Sequence, residues 1–277
     1  MFLDDTACNL ASINILKFYD SDNNQFDLES YLHTIKLAQL VLEATIHWGQ
    51  LPTKDIARKS FMFRTTGLGL TNLGTLFLEM AIPYDSDEAR TIAAALTSIM
   101  TSYSYLTSAF MAEKVGSFAA YNKNASHMKK IIKNHARVAN YNDLDSEFEG
   151  LDYEPIRINH SILLKMGYSN VSKTLKKLWK FTVDVGEVFG YRNAQVTVLA
   201  PTGTISFAMD CATTSSEPFF SHVAYKKLVG GGFMEIVNPA LQVALSKLGY
   251  TNTQIQDILD YVLRKEVIDG FEHIVDG

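Results

Sequence analysis

Cysteine is scarce in this chain: Cys8 and Cys211 are the two in 277 residues, too few for the disulfide framework of a small secreted protein. Charge of one sign is also lacking. Lys and Arg number 25 against 30 Asp and Glu, a net charge of −5, so no overall basic field draws in a nucleic-acid backbone or an anionic membrane. Neither nucleic acid nor membrane is expected as a partner. No apolar run reaches the roughly 18 residues that span a bilayer; the nearest, Leu68 to Ile82, is interrupted by Gly69, Asn72, Gly74 and Glu79. The opening MFLDDTACNL has no basic-then-apolar signal pattern, which makes the cytoplasm the expected location. Repeats and low-complexity tracts are absent too, which argues against solenoids and linkers. What remains is 47% hydrophobic, 11% aromatic and 20% charged, the balance of a globular protein able to bury a sizeable core.

Hydrophobic spacing divides the chain into helices and short strands. Cys8 to Ile15 alternates Leu10, Ile13 and Ile15 with small or polar residues and suits a short buried strand. Leu28 to Trp48 has helical periodicity, with Pro52 beyond its end. Arg64 to Ala81 sets Gly67, Gly69 and Gly74 among leucines; read as a helix, it implies close backbone packing against a neighbour. Asp85 and Glu88 form a capping-box pattern ahead of a long helix that stops at Gly116. Basic Ala125 to Ala139 and acidic Tyr141 to Glu154 read as a surface excursion, and Val171 to Gly190 as a helix capped by its glycine. Ala194 to Ala200 has the content of a buried strand and runs into Pro201. Tyr225 to Val229 is a candidate strand, Gly230 to Gly232 a turn, and helices start at Pro239 and Asn252.

Chemistry has few candidate locations. The turn Pro201, Thr202, Gly203, Thr204, Ile205, Ser206 follows a strand and exposes consecutive backbone N–H groups, to which a helix starting there adds its positive end. Such a turn grips phosphate, or is simply a helix start with Thr202 as N-cap. Without a GxxxxGK[ST] pattern it is not a Walker loop. The seven histidines form no HxxxH pair and no cluster with cysteine, so no protein-ligated metal is expected. Cys8 and Cys211 each read as small buried hydrophobes. Glu217 follows the hydroxyl run Thr213 to Ser216 and is a loop carboxylate, either solvated or at a site.

Three blocks together resemble the catalytic subunit of ribonucleotide reductase, most closely its adenosylcobalamin-dependent class II type. They are FLDDTACNLASINI at 2–15, RTTGLGLTNLG at 64–74 with PYDSDEAR at 83–90, and NAQVTVLAPTGTIS at 193–206 with YKKLVGGG at 225–232. The resemblance implies an α/β fold, part of a ten-stranded α/β barrel, mainly helical by residue count, with residues 1–277 as a single truncated domain. It implies that the turn Pro201 to Ser206 holds the substrate's phosphates, and that Cys8 is one half of the redox pair that reduces the ribose. Adenosylcobalamin is the implied cofactor. The implied partners are a ribonucleotide substrate, the remainder of the reductase chain and a thioredoxin- or glutaredoxin-type reductant, with a homo-oligomer as the complete form.

Two departures accompany the resemblance. The family's Asn, Pro, Cys, x, Glu loop, which carries the radical cysteine and the acid/base glutamate, precedes the region that here begins at Met1 and is absent from the chain. The implied reading is a fragment, inactive alone, cut just after the radical site. The family also usually has Asp and Gly where this chain has Ala212 and Ser215. The alternatives are a non-catalytic piece of a split enzyme completed by a partner chain, or a class I or glycyl-radical relative on the same barrel.

Overall fold

The computed structural model describes residues 3–7, 9–140, 147–227 and 233–265. In chain order the elements are β1 (Asn9–Asn14), a single 3-10 turn (Ile15–Phe18), β2 (Tyr19–Asp20), β3 (Gln25–Phe26), α1 (Leu28–Trp48), α2 (Lys54–Phe63), β4 (Thr66–Thr71), α3 (Leu73–Glu79), α4 (Asp87–Val115), α5 (Tyr121–Val138), α6 (His160–Lys165), α7 (Ser169–Phe189), α8 (Gly203–Ala208), β5 (Val223–Lys227), β6 (Phe233–Val237), α9 (Pro239–Lys247) and α10 (Asn252–Lys265). The content is mainly helical, as expected. The strands form three two-stranded sheets, β1 with β4, β2 with β3 and β5 with β6, and no closed barrel is formed among the described residues.

The chain divides into two compact units: Met1–Ile13, Asp27–Leu70 and Arg90–Ala200 in the first, and Asn14–Phe26, Thr71–Ala89 and Pro201–Gly277 in the second. The first unit's core is built on Tyr31, Ile35, Leu68, Leu70, Leu96, Ile99, Met100, Leu106, Trp179 and Tyr191, all fully buried. The second unit's core joins Val223, Leu241, Leu245, Ile255, Ile258 and Val262.

Caps fix the helix starts. Asp27 accepts from the Ser30 N–H at 3.0 Å and Thr53 from the Ile56 N–H at 3.2 Å, each satisfying a donor that the first turn leaves orphaned. At α4 the cap is Ser86, whose Oγ accepts from the Ala89 N–H at 3.1 Å, and not the expected Asp85. α7 ends as expected at Gly190, with φ 69°.

Four further expectations change. The stretch from 66 to 71 is a strand, not the start of a helix: Leu68 and Leu70 fall two residues apart, and all six residues are buried, so no solvent face exists to reveal the period. Close packing does hold, since a Cβ on Gly69 would sit 2.6 Å from the Val198 carbonyl oxygen. Residues 194–200 run beside β4 as an extended segment with one parallel bridge, Leu68 to Thr197, and not as a full strand; Leu68 N–H donates to Val196 O and Val198 N–H to Leu68 O. The basic helix α5 is no surface excursion. It buries Met128, Ile132 and Ala136, stacks His135 on Trp179 with ring centroids 5.9 Å apart, and pairs Lys129 and Lys133 with Glu187 at 2.6 and 2.9 Å. The expected strand from Tyr225 is β5, two residues earlier, antiparallel to an unforeseen β6 with Tyr225 opposite Glu235. The glycine turn 230–232 lies outside the described residues.

A buried ion cluster ties the first unit together. Glu43 on α1 accepts from Arg64 Nε at 2.6 Å and Arg192 Nε at 2.7 Å through one oxygen, and from Asn193 Nδ2 at 2.7 Å through the other. Asn193 also donates to Arg64 O at 2.9 Å and accepts from Ser108 Oγ on α4 at 2.8 Å. One carboxylate thereby links α1, the end of α2 and the segment after α7. Removing it strands two guanidinium groups in low dielectric. Glu43→Ala is expected to cost about 3–5 kcal/mol of stability, read as a shift in the urea midpoint, with Glu43→Gln costing less because it keeps an acceptor.

Candidate functional site: the Pro201 turn and its support

The six residues singled out by sequence split into two groups in the structure. Thr202 and Ser206 are buried, while Pro201, Gly203, Thr204 and Ile205 face outward. Thr202 precedes α8 in the left-handed region, with φ 55° and ψ 25°, and its hydroxyl makes no cap bond. That hydroxyl turns inward instead: it lies 3.1 Å from Thr71 Oγ1 and accepts from the Ser215 N–H at 2.7 Å. Ser206 Oγ donates to Gly203 O at 2.8 Å. The hydroxyls of Thr202 and Ser206 are therefore committed to holding the turn. The N–H groups of Gly203, Thr204 and Ile205, in the first turn of α8, have no intrahelical acceptor. A Cβ on Gly203 would meet nothing within 4 Å, so the space beside its Cα is open.

The turn rests on a polar network that the sequence reading missed. Asn72, between β4 and α3, is 1% exposed and sits in the left-handed region at φ 72°. Its Oδ1 accepts from the Ala212 and Thr213 N–H groups, both at 3.2 Å, and from Thr75 Oγ1 at 2.5 Å. Its Nδ2 donates to Asn14 Oδ1 at 3.1 Å, and Asn14 in turn donates to Met209 O at 3.3 Å. Thr71 Oγ1 donates to Thr213 O and accepts from the Ser215 N–H. A single Asn after a Gly and Leu alternation was the available signal, because Asn tolerates φ > 0 better than most residues.

The second loop, 211–217, is packed against this network. A Cβ on Gly74 would lie 2.5 Å from Glu217 O, so the loop backbone closes directly on α3. Ser215 holds φ 44°, a conformation that glycine adopts without penalty. Tyr84 Oη donates to Ser216 O at 2.6 Å; burial, and then the charge of Glu217, raise its pKa. The Glu217 side chain is exposed. Cys211 is half-buried, its Sγ 3.7 Å from Met209 O, and burial is the main cause holding its pKa up, which keeps it a protonated thiol at neutral pH. Cys8 lies outside the described residues. No group of three His, Cys, Asp or Glu able to hold a metal occurs among the described residues.

Deleting the Asn72 amide while keeping its backbone conformation isolates the network. Asn72→Gly leaves the N–H groups of Ala212 and the buried Thr213 without this acceptor and is expected to cost about 2 kcal/mol, measured by chemical denaturation. Asn72→Ala should cost more, because alanine also resists the left-handed backbone.

The family model of the ribonucleotide reductase barrel domain matches residues 1–276. The vitamin B12-dependent ribonucleotide reductase of Bradyrhizobium diazoefficiens is 44% identical over 263 residues, 95% of this chain and 21% of its own length. That of Agrobacterium fabrum is also 44% identical over 263 residues, covering 95% of this chain and 20% of its own length. The ribonucleoside-diphosphate reductase subunit alpha of Chlamydia pneumoniae is 30% identical over 255 residues, 92% of this chain and 22% of its own length. The chain spans about a fifth of the length of these curated relatives. Among the described residues, no helix is long and apolar enough to cross a membrane. With a match over nearly every residue, this chain belongs to the ribonucleotide reductase family, as part of its barrel domain.

Proposed function

We propose that this chain supplies the substrate-phosphate turn and one redox cysteine of a ribonucleotide reductase that makes deoxyribonucleotides for DNA synthesis. The observation that carries the reading is the exposed run Gly203, Thr204 and Ile205 in the first turn of α8, flanked by the buried Thr202 and Ser206. Backbone N–H groups at a helix start suit phosphate oxygens. The Thr204 hydroxyl adds a donor. No basic residue lies between Gln195 and Ser221, so the anion is neutralised by backbone dipoles alone within this segment. Thr202 acts by shaping the turn and not by touching the phosphate.

In the reaction, the 2′ carbon–oxygen bond of the ribose breaks, water leaves, and a hydrogen takes its place. The two electrons come from a pair of thiols, of which Cys8 is one, and they end as a disulfide; a thioredoxin- or glutaredoxin-type dithiol then restores them. The radical cysteine that abstracts the 3′ hydrogen lies in the Asn, Pro, Cys, x, Glu loop, which these 277 residues do not contain. Relatives named vitamin B12-dependent, at 44% identity, support adenosylcobalamin over the metal-containing second subunit of the class I type. The solvent-facing side chains beside the turn, Ile205 and Phe207, are apolar, which fits contact with the flank of a corrin whose cobalt carries its own nitrogen donors. When bound, the cofactor supplies the radical.

The experiment is nucleotide affinity in a full-length reductase carrying this region. Gly203→Val fills open space and leaves the turn's internal bonds intact, so it should fold normally and lose substrate affinity most. Thr204→Ala should lose roughly 1–2 kcal/mol, as for one hydrogen bond to a charged group. If both variants bind substrate like the parent, the turn is only a helix start. The isolated 277-residue chain should form no deoxyribonucleotide with adenosylcobalamin and dithiol, and turnover by it would overturn the fragment reading.

A further inference from the structure

Tyr84 follows α3 and is fixed by its surroundings in two ways. Its ring lies edge-on to the buried Phe77, with centroids 5.8 Å apart, an arrangement that orients both rings. The turn that carries it is closed by the Ile82 N–H donating to Phe77 O at 3.1 Å and by Ser86 Oγ donating to Pro83 O at 2.7 Å. From this position the Tyr84 hydroxyl donates to Ser216 O at 2.6 Å, 132 residues along the chain. The residue is 44% exposed, yet burial and then the charge of Glu217 raise the pKa of its hydroxyl, so it stays a donor at neutral pH.

The bond falls at the far end of the loop from its other ties. Residues 212–215 are held by Asn72 Oδ1 on the Ala212 and Thr213 N–H groups, by Thr71 Oγ1 on Thr213 O, and by the Leu73 N–H on Ser215 O at 3.4 Å. Past Ser215 the loop is tied by the Glu217 N–H to Thr214 O at 2.8 Å, a bond internal to it, and by Tyr84. Between these two anchors the Ser215 N–H donates to Thr71 Oγ1 at 3.2 Å and to Thr202 Oγ1 at 2.7 Å, so one amide is shared with the residue that leads into α8. Ser215 holds a left-handed φ of 44°. A serine keeps such a backbone where its surroundings over-determine it, and one residue on, Tyr84 fixes the Ser216 carbonyl.

We propose that Tyr84 is a positioning residue for substrate binding: by holding the Ser216 carbonyl it sets the Ser215 amide against Thr202, and through Thr202 it aligns the turn 201–206. The inference rests on the phosphate reading of that turn and extends it to a residue outside it. Ser216 is half-buried, so water takes the place of the phenol at its carbonyl once the hydroxyl is gone. Tyr84→Phe, which keeps the ring on Phe77, is therefore expected to fold and to melt like the parent.

The test is steady-state reduction by a full-length reductase carrying this region, with inorganic pyrophosphate as a competitive probe of the phosphate subsite. Tyr84→Phe should raise the KM for the ribonucleotide and the inhibition constant of pyrophosphate together, by about three- to tenfold as for one hydrogen bond. With kcat unchanged, that is the pattern of lost uniform binding. Thr202→Val removes the relaying hydroxyl, and adding Tyr84→Phe to it should raise KM no further, since both act through one path. A merely structural tyrosine would lower kcat through the active fraction and leave KM alone. That result overturns the proposal, as does a double variant whose KM rises by the product of the single effects. Gly203→Val separates the two readings. If it loses affinity and Tyr84→Phe does not, Tyr84 has no positioning role and the phosphate turn stands; if neither loses affinity, the phosphate reading has failed and this proposal falls with it.

Discussion

Burying strand β4 on all sides is the constraint on which the rest of the structure depends. None of its six residues faces solvent, so every polar group at its ends needs a partner within the protein. At the start of the strand, within the first unit, Thr66 Oγ1 lies 3.2 Å from Gln39 Nε2, and Gln39 reaches Asn193 at 3.3 Å, beside the Glu43 cluster. At its end, within the second unit, Thr71 and Asn72 pass their bonds to residues 202 and 211–215. These are high-stakes networks: fully paired they specify one arrangement, and a missing member costs more than a single surface hydrogen bond.

The candidate site inherits its chemistry from that constraint. Thr202 Oγ1 lies against Thr71 and accepts from the Ser215 N–H, partners that suit the positioning role proposed for it. The neighbouring Gly203, Thr204 and Ile205 stay exposed, and their N–H groups, in the first turn of α8, have no intrahelical acceptor. Ser215 shows the cost on the other side of the network. Its N–H serves both threonine hydroxyls from a left-handed conformation that glycine adopts more readily.

Legibility in the sequence followed the burial of each element. α1 and α7 face the core on one side, so their periodicity marked both ends, and Gly190 marked the stop of α7. β4 offers no such contrast: its glycines and leucines carry no polar face, so its sequence suits a helix as well as a strand and only its backbone partners decide. The extended segment 194–200 was recognised by its β-branched content, but its hydrogen bonds reach only one neighbour, so a full strand did not form. At the site, the residue types of the turn were visible and their roles were not. The direction of a hydroxyl depends on Thr71 and Ser215, more than a hundred residues and about a dozen residues away respectively, and no local pattern encodes that. Asn72 was the least legible, because a lone Asn in an apolar segment has the same appearance whether it caps, turns or organises a network.

Composition has a similar blind spot at the scale of the whole chain. A hydrophobic content of 47% describes a domain complete in itself and equally one that lends part of its apolar surface to a larger assembly. The two differ only in where the apolar residues end up. In α5 the surplus went inward, since its basic residues pair with Glu187 and Glu149 while Met128 and Ile132 pack below, and an apparent surface helix became core. In α1 the reverse holds, with a second apolar stripe, Leu37, Val41 and Trp48, left exposed. Charge patterning misleads in the first case because paired cations leave no mark in a sequence, and periodicity misleads in the second because one buried stripe is enough to produce it. What separates the two helices is the number of partners each face has found. That quantity is set by tertiary packing, which neither charge pattern nor periodicity records.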